Sequence, residues 1–252
     1  SPVAWVVYVG NMLVLLSPWG PLAMTMAQGV GIPSQGMPIS YGGPALGAGD
    51  WVVGALAISV VLAIVAEMAR YQQAGRVTTD LAAAVLAITY LGLLLSFAVR
   101  LRLDWGIGGL ASLVIVVKMG DTGAYFVGKG IGRRPMAPRL SPKKTVEGAI
   151  GALVFSALAS WAVFQWLVPV TLPPSGRASA ALGHVGGSVV FGLLVGAAGM
   201  LGDLAESLLK RDAGRKDSST WIPGLGGALD MLDSVILAAP VAYACWSLGL
   251  IG

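Results

Sequence analysis

The sequence is poor in the residues on which most soluble enzymes rely. Its 252 residues include one cysteine, one histidine and only 11% charged side chains. A lone Cys245 excludes an intrachain disulfide and a cysteine-based zinc site, and its apolar surroundings make it a small hydrophobe. A lone His184, in a glycine-rich loop, leaves no Ser-His-Asp or Cys-His nucleophile system. Soluble domains carry about 25% charged residues, so this chain is not expected to face water on all sides. The net charge of +4 is spread over several loops that lack interleaved aromatics. A nucleic-acid groove is therefore not expected, because base stacking needs those rings.

What is abundant is apolar: 56% of residues are hydrophobic and the mean hydropathy is +0.80. The apolar runs approach the roughly 20 residues that a membrane helix needs, not the ~10-residue alternation of a barrel strand. The expected fold is all-α, a polytopic integral membrane helical bundle. Spans are read at Val3–Ala27, Trp51–Ala69, Leu81–Val99, Ile107–Val127, Glu147–Val170, Ser188–Leu209 and Ala228–Gly249. Pro18 and Pro21 make the first either one kinked span or a helix plus a re-entrant piece. Lys129–Thr145 and Arg211–Gly227 read as basic loops. Two regions are expected: 1–105, an N-terminal membrane region, and 106–252, which carries the polar motifs. The start at Ser1 suggests a lost N-terminus, and no basic stretch precedes the first apolar run as in a cleaved leader.

With these spans, the loops around Arg70–Arg76, Lys129–Lys144 and Lys210–Lys216 fall on one side of the membrane. The other side receives only Arg100, Arg102 and Arg177. The excess of Lys and Arg marks the first side as cytoplasmic. The polar site is therefore expected to face the cytoplasm across an inner membrane.

Ionisable groups at membrane depth cost roughly 2.5–3.5 kcal/mol each on insertion scales, so their placement is informative. Asp203, Glu206 and Lys210 fall at i, i+3 and i+7, on one helix face, and Ser207 joins them. A structural Glu206–Lys210 ion pair accounts for part of this stripe, but not for Asp203. Asp230 and Asp233 open the last span after Gly224, Gly226 and Gly227, which let backbone approach a ligand closely. Carboxylates here would repel phosphate unless a cation lies between them, so a magnesium-like ion bridging carboxylates and phosphate is the simplest reading. Asp233 alone is accounted for by the helix dipole. Lys118 and Asp121 are spaced to pair. Ser141–Glu147 reads as a loop entering a helix, with Lys143 and Lys144 positioned for phosphate. Gly123–Lys129 nearly matches a phosphate loop, but Gly130 stands where Ser or Thr is needed.

Three motifs then resemble one family in order and content. They are Asp121-Thr122-Gly123-Ala124-Tyr125-Phe126, Ser141-Pro142-Lys143-Lys144-Thr145-Val146-Glu147-Gly148, and the stretch from Gly202 to Asp233. The resemblance is to phosphatidate cytidylyltransferase (CDP-diacylglycerol synthase) and covers about the C-terminal half. Two positions depart: Leu225 where the family has His, and Met231 where it has Arg. The resemblance implies CTP and phosphatidate as substrates, Mg2+ as cofactor and a second, monovalent cation as an open addition. It implies Asp203 and Asp230 as metal ligands, with Asp121 helping. Lys210, Arg211 and Lys216 would neutralise the triphosphate, and Lys143 and Lys144 would hold phosphate. Asp217 and Ser218 would order the loop or contact nucleotide. Ser141, Thr145, Glu147, Ser207 and the three glycines complete the expected substrate site. A homodimer is compatible with the glycine-rich spans. The alternatives are a CTP-dependent enzyme on another lipid acceptor, an inactive membrane scaffold, and a transporter using the buried Asp and Lys residues as an ion path.

Overall fold

The computed structural model describes residues 3–27, 48–71, 75–171, 185–214 and 228–251. They are almost entirely helical, as long apolar runs require where backbone groups find no water. Six of the described helices are long and apolar enough to cross a membrane. The protein is a polytopic helical membrane protein. Large apolar side chains such as Tyr8, Met68, Leu158 and Val170 lie exposed on the outer helix faces, where a bilayer would solvate them.

By its contacts the chain divides into two compact units, Ser1–Asp104 and Trp105–Gly252. In the first, α1 (Ala4–Leu16) passes through a 3-10 turn at Ser17–Trp19 into α2 (Gly20–Ala27). Pro18 sits in that turn, so the proline motif gives one bent helical passage. Helices α3 (Ala48–Ala69) and α4 (Val77–Ala87) pack on α1 through Val6, Ala63 and Ala84, and farther along Val14 of α1 meets Val52 of α3 and Ile88, just past α4. Arg70 joins α3 to α4, reaching Glu67 at 2.9 Å and Asp80 at 3.1 Å. A π turn, Ile88–Leu93, leads into α5 (Leu94–Ile131).

Helix α5 departs from the expected spans. Its first part runs past Val99 to Asp104, with Arg100 paired to Asp104 one turn on at 3.5 Å. Regular helix is interrupted only at Trp105 and Gly106, where Gly106 adopts φ +66°, a conformation that a Cβ disfavours. The second part continues through Lys129, which the sequence reading put in a loop, to Ile131.

The second unit holds that part of α5, a hairpin of β1 (Pro135–Ala137) and β2 (Ser141–Thr145), and α6 (Val146–Ala162). A π turn at Val163–Leu167 and α7 (Val168–Thr171) follow. Helices α8 (Val185–Asp212) and α9 (Ala228–Ser247) complete it. Ser141–Glu147 is thus a strand running into a helix, where the sequence pointed to a loop. Thr145 caps α6 by accepting the Gly148 N–H at 3.1 Å.

Helix α8 packs against α6 through Gly192 and Gly196, and against α9 through Gly199 and Gly202. Lipid is as apolar as leucine, so close backbone packing of small residues replaces the usual hydrophobic drive. Ser156 and Ser160 on α6 reinforce it by donating to the carbonyls of Val116 and Ser188. Away from the polar residues, Trp105, Tyr243, Trp246 and Phe164 form a ring cluster, and the Trp246 indole N–H donates to Ser112 at 3.2 Å.

A Cβ at Gly192 would stand 2.6 Å from the Ala157 Cα and the Ser156 carbonyl oxygen, whereas Gly186 faces open space. Gly192→Val is expected to lower stability by about 1–3 kcal/mol. Gly186→Ala is expected to lose none. The midpoints of thermal unfolding in detergent check both.

Candidate active site

The polar residues of the second unit converge from α5, the hairpin, α8 and α9. On α8 the 3.6-residue period brings Asp203, Glu206 and Lys210 to one face. On α9, Asp230 and Asp233 are one turn apart in its first turns. The two helices can meet there because Gly202 has no side chain: a Cβ would lie 2.5 Å from the Asp233 carbonyl oxygen and 3.1 Å from the Ser234 Cα.

Ligand atoms of Asp203, Glu206 and Asp233 all lie within 4.8 Å of one another. Glu206 is 1% exposed and Asp233 8%, so two of the three carboxylates are withdrawn from water. Lys210 sits between two acids, 2.5 Å from Glu206 Oε2 and 2.9 Å from Asp230 Oδ1. Lys144, on β2, reaches Asp203 Oδ2 at 2.5 Å. Among the described residues, four carboxylates thus face two ammonium groups.

Asp121 joins the cluster from α5. It accepts from Lys118 at 3.0 Å and from the buried Ser234 hydroxyl at 3.3 Å. Ser234 also lies against Asp233, with its N–H at 2.6 Å and its hydroxyl at 3.1 Å from Asp233 Oδ1. Ser234 therefore spans the gap between the two acids.

The hairpin is fastened to α6. Glu147 accepts the backbone N–H groups of Arg133 and Arg134 at 3.1 and 3.2 Å. The Val146 N–H donates to the Arg134 carbonyl at 2.9 Å. These bonds and the Thr145 cap give Glu147 and Thr145 a local scaffolding part. Lys144 then reaches Asp203, while its neighbour Lys143 is exposed. Ser141 pairs with Ala137 at the start of β2. Ser207 is half-buried on α8, and Arg211 is exposed in its last turn. Lys216, Asp217, Ser218, Gly224, Gly226 and Gly227 lie outside the described residues, as do His184 and Leu225.

Sequence reasoning left Glu206 and Asp233 off the metal-ligand list. The structure puts both beside Asp203 in one carboxylate group and turns Asp230 toward Lys210. The i, i+3 spacing of Asp230 and Asp233 was visible, but not which of the two faces Asp203. A hard divalent cation fits this donor set, because it prefers several carboxylate oxygens. Glu206 Oε1 supplies the test: it is buried and makes no hydrogen bond among the described residues, while Oε2 pairs with Lys210. An orphaned buried carboxylate oxygen is costly unless a cation or a proton takes it.

Comparison with known proteins places these residues in context. The cytidylyltransferase family profile matches residues 37–248. A phosphatidate cytidylyltransferase of Synechocystis is 43% identical over 127 residues, which is 49% of this chain and 38% of that protein. The Bacillus subtilis phosphatidate cytidylyltransferase is 36% identical over 160 residues, covering 63% of this chain and 55% of its own length. That of Mycobacterium tuberculosis H37Rv is 35% identical over 173 residues, covering 68% and 48%. The chain thus spans about half the length, or less, of these curated relatives.

Lys210→Met leaves Glu206 buried without its cation. The expected loss of stability is about 3 kcal/mol, the low end for a broken buried pair because Lys210 keeps 19% exposure. Adding Glu206→Leu is expected to recover part of the loss, because the fully buried carboxylate is then gone, while Asp230 lacks Lys210 in both variants. Unfolding of the single and double variants in detergent checks this.

Proposed function

The chain belongs to the cytidylyltransferase family, and on that premise we propose that it transfers the cytidylyl group of CTP to phosphatidate. The products are CDP-diacylglycerol and pyrophosphate. Two things support the reading: relatives named phosphatidate cytidylyltransferase match this chain, and the matched segment carries a cluster of acids and lysines with an orphaned Glu206 oxygen.

The lipid phosphate is itself the nucleophile. One of its oxygens forms a bond to the α-phosphorus of CTP, the bond from that phosphorus to the β-phosphate breaks, and pyrophosphate leaves. A phosphate monoester is already anionic, so little is asked of a general base; positioning and charge stabilisation dominate. Asp203, Glu206 and Asp233 are the residues that would hold magnesium, with Asp230 beside them and Asp121 braced through Ser234. When bound, the ion supplies neutralisation of phosphate charge as it shifts toward the leaving group. Lys210, fixed by Glu206 and Asp230, presents a cation of set position to the triphosphate. Lys144, with the exposed Lys143, offers ammonium groups from the hairpin. Arg211 extends that charge, Lys216 is proposed to neutralise the triphosphate with it, and Asp217 and Ser218 to order the loop or contact nucleotide. CTP would approach from the cytoplasmic face and the lipid from the bilayer.

Magnesium-dependent CDP-diacylglycerol formation by the purified protein in lipid–detergent micelles is the expected result. Failure of the folded protein to form it, beside an active relative in the same assay, would overturn the reading. Asp203→Asn and Asp230→Asn are each expected to cut turnover by roughly 10²-fold or more. Near-normal turnover in Asp203→Asn would remove the metal assignment.

A further inference from the structure

The ion pair between Lys144 and Asp203 sets a side chain assigned to phosphate against a carboxylate assigned to metal. The ammonium stands 2.5 Å from Asp203 Oδ2, and Asp203 belongs to the carboxylate group that suits a divalent ion. A divalent cation drawn to that carboxylate repels an ammonium at the same range. The two cations compete for the same carboxylate.

The two lysines of the cluster differ in how firmly they are held. Lys210 is shared by two carboxylates, one of them fully buried. The ion pair that Lys144 makes among the described residues is with Asp203, and the two side chains keep 23% and 36% exposure. Lys144 is therefore the cation that can leave, with solvent at hand to receive it. Its backbone has no comparable freedom, because Thr145 caps α6 and Glu147 ties Arg133 and Arg134 to the same helix start.

We propose that Lys144 acts as an exchangeable counter-ion: it neutralises Asp203 while the carboxylates hold no metal, and metal binding releases its ammonium to a substrate phosphate. The proposal rests on the metal and phosphate reading above and adds an order to it. Metal and phosphate binding become positively coupled through one side chain, since the metal removes a competitor for the lysine that phosphate needs.

Amine acetylation of the full chain in detergent, read residue by residue by mass spectrometry with and without Mn2+, tests this. Mn2+ binding is followed in the same samples by the resonance of the free ion. Lys144 is expected to acetylate several-fold faster once Mn2+ is bound, while the exposed Lys143 is unchanged and serves as internal reference. Lys144→Met is expected to bind Mn2+ about three- to tenfold tighter, as loss of a competing cation at a half-exposed pair allows. Lys144→Arg, which keeps the charge and controls for folding, is expected to bind as the wild type does. Mn2+ binding that leaves Lys144 reactivity unchanged overturns the exchange and leaves the metal reading standing. Absence of Mn2+ binding in both wild type and Lys144→Met overturns the metal reading itself, and the exchange with it.

Discussion

A carboxylate shut away among apolar helices needs a cation, and the pairing of Glu206 with Lys210 is the constraint on which the polar end of this protein depends. Glu206 is almost wholly buried, in a chain whose composition offers few compensating charges. Lys210 answers it from one turn along the same helix and then extends to Asp230 on the next. A contact internal to α8 thereby becomes a tie between α8 and α9. The acids gathered there are what make the place receptive to a further cation.

That arrangement is possible only because the helices approach closely. Gly202 sits immediately before Asp203 and against the backbone of Asp233 and Ser234. The residue that permits contact and the residues that carry charge are neighbours in the chain, so packing and chemistry are set by the same few positions. Earlier along α8, Gly192 and Gly196 do the equivalent against α6, whose first turn carries the hairpin. The second unit is thus organised around α8, with acids at one end of its small-residue faces.

Hydropathy alone made the helical membrane architecture legible, because a run of apolar residues near the bilayer thickness has few other uses. The exact breaks were less so. Arg100 and Asp104 look like the edges of a loop, yet they pair along the helix and carry it to Trp105. The hairpin was hidden because Ser-Pro-Lys-Lys-Thr shows no apolar alternation; its strand is held by backbone bonds and by Glu147. Within the site, the stripe Asp203, Glu206 and Lys210 followed directly from helical spacing. The partnership of Asp233 with Asp203, of Asp230 with Lys210, and of Lys144 with Asp203 did not. Those depend on how three separate segments are rotated and brought together, and no local period encodes a rotation between segments.

The attachment of β2 to α6 has a consequence for the consecutive lysines. Lys143 and Lys144 look redundant when written side by side, but one is exposed and the other meets an aspartate. Their surroundings differ, and neither stands in the other's place. A single-residue insertion between Lys144 and Thr145 would carry Lys144 one position away from the anchored start of α6 and set another side chain in its place, with the charge count of the segment unaltered. Composition is blind to such a change, and the spacing of Lys144 from its attachment is the property that natural variation in this segment would have to respect.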